Sequence, residues 1–177
     1  VDVGMNNVYD VVVEVSDGGL TDTQAIAVTV TNANEAPTAT NLSAAESYTE
    51  DTALNLTNIV ISDVDSATVT ATLTLSAPAA GSLNTATSGA VTSTYNAGTG
   101  VWSANGAIAN VNTLLAALTF TPTLNYNASF SIATSVSDGV AAPITGTKSF
   151  TGNAVNDAPT FSTAGDGVVT WNGAGDD

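Results

Sequence analysis

Apolar and polar residues alternate along two neighbouring segments near the start of the chain. In residues 8–17 almost every second side chain is a valine or a tyrosine, as expected of a strand buried on one face. Residues 23–31 continue the alternation, and Gly18-Gly19 separates the two segments. This pattern predicts a β-hairpin. Its apolar face comprises Tyr9, Val11, Val13, Val15, Ile26, Val28 and Val30.

The hairpin leads into a proline-containing segment, and the whole arrangement recurs near the other end of the chain. Val-Ser-Asp-Gly at residues 15–18 returns at residues 136–139, and Glu-Ala-Pro-Thr at 35–38 returns as Asp-Ala-Pro-Thr at 157–160. Proline disfavours continued strand pairing, so both segments are interpreted as linkers. The internal repeat predicts a complete module over residues 35–156. Residues 1–34 would then be the last strands of a preceding module, and residues 157–177 a linker with the start of a following one.

Within the complete module, short apolar segments bounded by Gly, Asn, Asp or Pro predict an all-β fold. Several short strands at this spacing are typical of a Greek-key β-sandwich. One segment has helical spacing instead, and we expect Asn110 to cap a short turn that buries Val111, Leu114 and Leu115. The predicted strands are residues 53–62, 68–76, 90–95, 118–122, 130–136 and 144–152.

The charge of the chain restricts its partners. It has 16 Asp and Glu but a single Lys or Arg, for a formal net charge of −15. Nucleic acids and anionic membranes require clustered cations, so neither is expected as a partner, whereas divalent cations are attracted. The chain is nevertheless 44% hydrophobic, which is enough to bury a core.

Missing residue types exclude further chemistry. The chain has no His and no Cys, so disulfides, thiolate zinc sites and His or Cys catalysis are absent. No apolar segment has the length of a membrane span, and the sequence does not begin with Met. We therefore expect a processed or excised piece of a longer protein, without membrane insertion. Asp and Glu suffice for a glycosidase, but no informative pair of carboxylates stands out.

A strand that ends in aspartate, a second strand, and an Asn-Glu or Asn-Asp linker with proline together resemble the end of a cadherin repeat. The resemblance implies a tandem array of seven-stranded sandwiches whose linkers bind Ca²⁺. It assigns the linker pairs to Asn34-Glu35 and Asn156-Asp157, and the Asp-x-Asp loop after the second strand to Asp63 and Asp65. Asp138 resembles the aspartate that ends the sixth strand, and Glu50 the glutamate of the first strand.

The resemblance further implies two sites at opposite ends of the module. Its strand directions would bring Asn34, Glu35, Asp63, Asp65 and Asp138 together, with Glu50 beside Asn156 and Asp157. Oxygen ligands of this kind suit Ca²⁺, which accepts six to eight of them in loose geometry. The alternative is that these Asp and Asn side chains stabilise turns through their own backbone. For Asp17 we favour that alternative.

The interior of the module is similar to cadherin-like repeats of large bacterial surface and adhesin proteins. This implies an extracellular, cell-surface module for adhesion or matrix formation, such as a biofilm, with neighbouring modules, copies of itself or glycans as partners. A second hypothesis is a filament subunit assembled by strand complementation. A third is a carbohydrate-binding module. Residues 173–177 also fit part of a calcium-binding glycine-aspartate repeat, although a single truncated copy is more often a loop.

Overall fold

The computed structural model describes residues 8–31, 33–158, 160–163 and 169–172, the last two ranges by their backbone alone. The chain divides into two compact units, Val1–Asn34 and Glu35–Asp177. The division falls where the predicted complete module begins. The glycine-aspartate segment at residues 173–177 lies outside the described residues.

The first unit contains a two-stranded antiparallel hairpin. Strand β1 (Val8–Ser16) pairs with β2 (Thr21–Thr29) over nine residue pairs. The turn is closed by Asp17, whose Oδ1 accepts hydrogen bonds from the backbone N–H groups of Gly19 and Leu20, and Gly18 has a φ of +94°. The apolar alternation predicted from the sequence therefore forms a hairpin, and Asp17 stabilises its turn.

The second unit is built around a six-stranded sheet in the order β11-β12-β7-β14-β15-β4. All neighbours are antiparallel except β4, which lies parallel to β15. The long strands alternate buried apolar residues with Thr, Ser or Ala, which gives the sheet one core face and one solvent face. The strands are β4 (Glu46–Thr49), β7 (Thr68–Leu75), β11 (Thr94–Asn96), β12 (Val101–Ala107), β14 (Phe130–Ser137) and β15 (Ile144–Asn153).

A second, three-stranded sheet covers the core face in the order β5-β13-β8. Phe120 of this sheet contacts Tyr48, Phe130 and Phe150 of the larger sheet, with ring centroids 5.0 to 5.7 Å apart. Trp102 is fully buried, and its Nε1 donates to the Asn84 carbonyl. The all-β sandwich predicted from the sequence is confirmed. The covering strands are β5 (Leu54–Asn55), β8 (Gly81–Leu83) and β13 (Thr119–Pro122).

Short elements complete the second unit. Strand β3 (Thr38–Ala39) pairs with β6 (Ile61–Ser62), and β9 (Thr87–Ser88) pairs with β10 (Val91–Thr92). A 3₁₀ turn, Pro78–Ala80, precedes β8. Beyond the sandwich, β16 (Thr160–Thr163) pairs with β17 (Val169–Asn172).

Several strand predictions need correction. The predicted strand at residues 90–95 is divided in two, because β10 pairs with β9 whereas β11 pairs with β12. Residues 53–62 do not form one strand, because β5 and β6 pair with different partners and the chain bends between them. Strand β12 was not predicted, although Trp102 and Ala104 alternate with polar residues. The strand forms because β12 pairs along its length with β7, a central strand of the sheet. This pairing compensates for the weak β-propensity of the Gly, Asn and Ser residues in β12.

The helix α1 (Ile108–Ala116) buries Val111, Leu114 and Leu115, as predicted. The predicted cap is wrong. The helix begins before Asn110, its N-cap is Ala107, and no side chain caps it. The Asn110 Oδ1 instead accepts a hydrogen bond of 3.4 Å from the Ser88 hydroxyl.

The two halves of the sequence repeat adopt the same strand register. Tyr9 pairs with Val28 as Phe130 pairs with Phe150, and Val11 pairs with Ile26 as Ile132 pairs with Lys148. The difference lies in the neighbours: β14–β15 is flanked by β7 and β4, and Phe130 is 9% exposed against 42% for Tyr9. Among the described residues, the hairpin of the first unit thus has the form of β14–β15 without their flanking strands.

Candidate functional site

Acidic residues lie at the end of the sandwich where β14 finishes and β7 begins. Ser137, the last residue of β14, pairs with Thr70 near the start of β7. Asp138 follows immediately, and the loop between β6 and β7 carries Asp63 and Asp65. Strand order alone therefore places these three aspartates at one end, which we call the first end.

Hydrogen bonds hold part of this set in place. The Asp65 Oδ2 accepts from the Glu35 backbone N–H at 2.8 Å, which ties the first residue of the second unit to the β6–β7 loop. The Asp63 Oδ1 accepts from the N–H groups of Asp65 and Ser66 at 2.9 and 2.8 Å. Asp63 thus stabilises a turn, as the alternative hypothesis predicted, while its other carboxylate oxygen, Oδ2, is buried.

The Oδ2 atom of Asp63 is buried without a hydrogen-bond partner. Among the described residues, three buried side-chain oxygens lack a hydrogen-bond partner, namely Asp63 Oδ2, Glu50 Oε2 and Asn58 Oδ1. Burying a carboxylate oxygen without a partner is costly, so such an atom requires a physical reason. Asp63 lines a depression of about 250 Å³ together with Glu35.

The structure does not assemble every predicted ligand of the first end. The Asp138 Oδ1 accepts from the backbone N–H groups of Val140 and Ala141, closing its own turn as Asp17 does. Asn34 is the last residue of the first unit. Within the described part of the chain, no three acidic side chains lie close enough to hold a metal ion as they stand. Glu35, Asp63 and Asp65 are nevertheless close enough to affect one another electrostatically.

The pKa of the Glu35 carboxyl is affected by these neighbouring carboxylates. Its hydrogen bond to the Asp65 side chain, with repulsion from Asp65 and more weakly from Asp63, raises the pKa of Glu35 above its ordinary value of 4.5. A raised carboxyl pKa means that the folded chain holds this proton more tightly than the unfolded chain. Glu35 therefore favours folding below about pH 4.5, and the contribution is lost as pH rises through the raised pKa.

The raised pKa of Glu35 predicts how a substitution at this position changes the melting temperature of the metal-free protein. With a chelator present at pH 7, Glu35→Gln removes the repulsion from Asp65, so we expect a higher melting temperature than that of the parent. The difference should disappear near pH 4, where the parent is protonated. Glu14→Gln, which removes an exposed carboxylate from the hairpin, serves as the control in the same melts. Equal melting of Glu35→Gln and parent at pH 7 would contradict the coupling.

The opposite end of the sandwich, the second end, carries Glu50. Because β4 runs parallel to β15, Glu50 follows β4 where β15 also finishes. Glu50 is 2% exposed, and its Oε1 accepts from the Val155 backbone N–H at 2.5 Å. Its Oε2 is the second of the orphaned buried oxygens. Glu50 thus contacts the chain one residue before the predicted Asn156-Asp157 pair.

Asn156, Asp157 and Asp51 also lie at the second end. The Asn156 Nδ2 donates to the Asp157 carbonyl at 3.4 Å. Asp51 was not predicted; its Oδ1 accepts from the Asn125 backbone N–H at 2.8 Å. The sequence could have indicated Asp51, because it directly follows Glu50, and adjacent residues after a strand lie at the same end of the sheet.

The sequence reasoning also missed a buried ion pair. Lys148, the sole Lys or Arg of the chain, is fully buried, and its Nζ lies 2.9 Å from the Glu46 Oε1. Thr57 completes the network by donating its N–H and hydroxyl to Glu46 and accepting from Lys148. The pair joins β15 to β4, and no basic side chain remains for the surface of the molecule.

Comparisons with known proteins show a likeness to solved structures alone. No family model matches the chain, and no curated protein matches it. Solved structures that it resembles include the crystal structure of protocadherin gamma C5 EC1-3, at 16% identity with a TM-score of 0.40. That match covers 90% of this chain and 48% of the other, so the chain spans about half the length of that structure. Within the described residues, no helix is long and apolar enough to cross a membrane.

Proposed function

We propose that this chain is an extracellular structural or adhesive module of a cell-surface protein, arranged in tandem with similar modules. The observation that carries the proposal is the distribution of charge over the second unit. Its described carboxylates lie outside the strands, except Glu46, which Lys148 neutralises in the core. Charge concentrated at the ends of a sandwich suits a module whose ends meet neighbouring modules.

Gathered carboxylates also favour a calcium-dependent junction. Two carboxylates about 4 Å apart repel by about 4 kcal/mol at an effective dielectric constant near 20. The residues present fit Ca²⁺: all are oxygen donors, and each end has one buried carboxylate oxygen without a protein partner. At the first end Asp63, Asp65 and Glu35 would hold the ion, with Asp138 as a further ligand. At the second end the ligands would be Glu50, Asn156 and Asp157.

Asp63→Asn tests the first junction with little change to the backbone. An asparagine oxygen can still accept from the Asp65 and Ser66 N–H groups, but the orphaned Oδ2 becomes an amide nitrogen that cannot bind a cation. With a dissociation constant of about 10⁻⁴ to 10⁻³ M, 10 mM Ca²⁺ should stabilise the parent by about 1.4 to 2.7 kcal/mol. We expect Asp63→Asn to lose most of this increment in calorimetric titrations and melts.

Asp17→Asn is the matched control, because Asp17 closes the same kind of turn in the hairpin and changes the charge equally. It should leave the Ca²⁺ increment unchanged. Glu50→Gln tests the second junction in the same way. A parent that melts identically in Ca²⁺ and in chelator would reject the calcium proposal while leaving the tandem-module proposal open.

A specific observation favours a second candidate, a filament subunit completed by strands of another copy. The apolar face of the hairpin is 42 to 52% exposed at Tyr9, Val11, Val13, Ile26, Val28 and Val30, whereas the equivalent face of β14 is buried. Strand addition from a neighbouring copy would cover it. Images of assembled material distinguish the candidates, since strands that cross between copies establish the filament. If the protein hydrolysed glycans or peptides, and substitution of one carboxylate abolished this activity, both the tandem-module and the filament proposals would be rejected in favour of an enzyme.

A further inference from the structure

The inner residues of β15 differ in kind from those of β2, although the two strands share one register. Along β15, every second position from 146 to 152 faces the core, between exposed residues of the solvent face. The corresponding residues of the hairpin lie 122 positions earlier in the sequence. In order, Gly146, Lys148, Phe150 and Gly152 stand where the hairpin has Gln24, Ile26, Val28 and Val30. We call these four residues of β15 the seam residues, because β15 borders β4 here.

Two of the seam residues leave no room for a side chain. A Cβ atom at Gly152 would overlap the carbonyl oxygen of Asn127, and one at Gly146 would lie 2.8 Å from the carbonyl carbon of Leu42. Both obstacles are backbone atoms, which cannot rotate away as the end of a flexible side chain can. The valine and glutamine that the hairpin carries at these positions therefore do not fit the sandwich.

The other two seam residues match the charge and the size of their surroundings. With isoleucine in the place of Lys148, the Glu46 carboxylate would stay buried without a counter-charge. The Phe150 ring stacks on Phe130 with centroids 4.6 Å apart and contacts Phe120 at 5.7 Å. A valine at position 150 would leave a cavity in this aromatic cluster.

The inner residues of β14, by contrast, resemble those of β1. Thr134 is the exception, because its hydroxyl donates to the Leu42 carbonyl at 3.0 Å, whereas Val13 has no hydroxyl. The other inner residues of β14 correspond to residues of similar size: Phe130 to Tyr9, Ile132 to Val11, and Val136 to Val15. The features that distinguish the two hairpins therefore lie mainly in β15.

We propose that the seam residues select the hairpin that closes this sandwich, and that the sandwich rejects the hairpin β1–β2 in spite of its matching register. Repeat proteins characteristically misassemble by exchanging equivalent elements. In this sheet β4 is the first strand along the chain and β15 the last, so their pairing closes the module. A closing strand that only its own module accepts prevents such an exchange.

The selection also indicates the chemistry of the strand that completes the hairpin. Ile26 requires an uncharged neighbour where β4 presents Glu46, since an unpaired carboxylate would otherwise be buried beside it. A filament in which β1–β2 of one copy replaces β14–β15 of another would thus be excluded. Other modes of strand addition, and Ca²⁺ binding at the module ends, are unaffected by the proposal.

A chimaera of the whole chain tests the proposal. A second copy of residues 9–30 replaces residues 130–152, and the difference of one residue falls in the turn after Gly139. We expect the chimaera to lose the cooperative denaturant transition that the fluorescence of the buried Trp102 reports. Restoring the four seam residues in the chimaera should recover a cooperative transition, at about half or more of the parental midpoint concentration.

The matched control restores the other four inner positions at which the hairpins differ, namely Phe130, Ile132, Thr134 and Ile144. We expect no cooperative transition from it, because the obstacles at positions 146 and 152 remain. A chimaera that unfolds cooperatively at the parental midpoint overturns the proposal. So does a control that recovers as much as the seam restoration, or a seam restoration that recovers nothing.

Discussion

Lys148→Met should lower the free energy of unfolding by about 3 to 5 kcal/mol, because it leaves the Glu46 carboxylate buried without its counter-charge. For a chain of this size the loss corresponds to a melting temperature roughly 6 to 20 °C lower. The methionine fills a similar volume, so the effect reports charge rather than a cavity. Denaturant unfolding monitored through the buried Trp102 measures it directly.

The matched double variant separates charge from packing. Glu46→Gln with Lys148→Met removes both charges, while the Gln oxygen can still accept from the Thr57 N–H. Replacing a buried ion pair by neutral groups is often neutral or stabilising, so we expect the double variant to recover most of the loss. The repeat supports this expectation, because Ile26 occupies the position equivalent to Lys148 in the hairpin register. A single variant that costs less than about 1 kcal/mol would contradict the assignment.

Backbone amides of β1 and β2 should exchange with solvent far faster than those of β7 and β14 in dilute monomer. A two-stranded hairpin is marginally stable alone, and the apolar face of this one is about half exposed. The sandwich strands open only with global unfolding, which costs about 5 to 15 kcal/mol in typical domains. Hydrogen exchange measured by mass spectrometry resolves the two regions in one experiment.

The same amides should become protected when flanking strands cover the face. Each apolar side chain that becomes buried contributes about 1.5 to 3 kcal/mol, so Tyr9, Val11 and Val13 together supply a strong drive. Assembled material, or a longer chain that includes preceding strands, provides the comparison sample. Val12→Thr, on the opposite face of β1, is a control that should not alter this protection. Strong protection of residues 8–30 in dilute monomer would contradict the prediction.

Much of the architecture follows from local sequence. Alternation of apolar residues in β1, β2, β7 and β14 determined these strands, because successive side chains of a strand point to opposite faces and a shift of one residue would reverse them. The helix was also predictable, since Val111, Leu114 and Leu115 recur at helical spacing. The resemblance to a cadherin repeat, carried by short local motifs, assigned Asp63 and Asp65 to the loop after a strand and Glu50 to the first strand; in the structure Glu50 directly follows β4.

Features that depend on contacts between residues far apart in the sequence were decided by the tertiary structure alone. Strand β12 forms because β7 pairs along its whole length, and the parallel pairing of β4 with β15 aligns Glu46 with Lys148, 102 residues away. No local pattern marks a lysine as buried, since its burial depends on a carboxylate and a carbonyl supplied by other elements. The orphaned oxygens of Asp63 and Glu50 are likewise properties of packing. Sequence determined where the carboxylates lie along the chain, and only the fold determined which of their buried oxygens lack a hydrogen-bond partner.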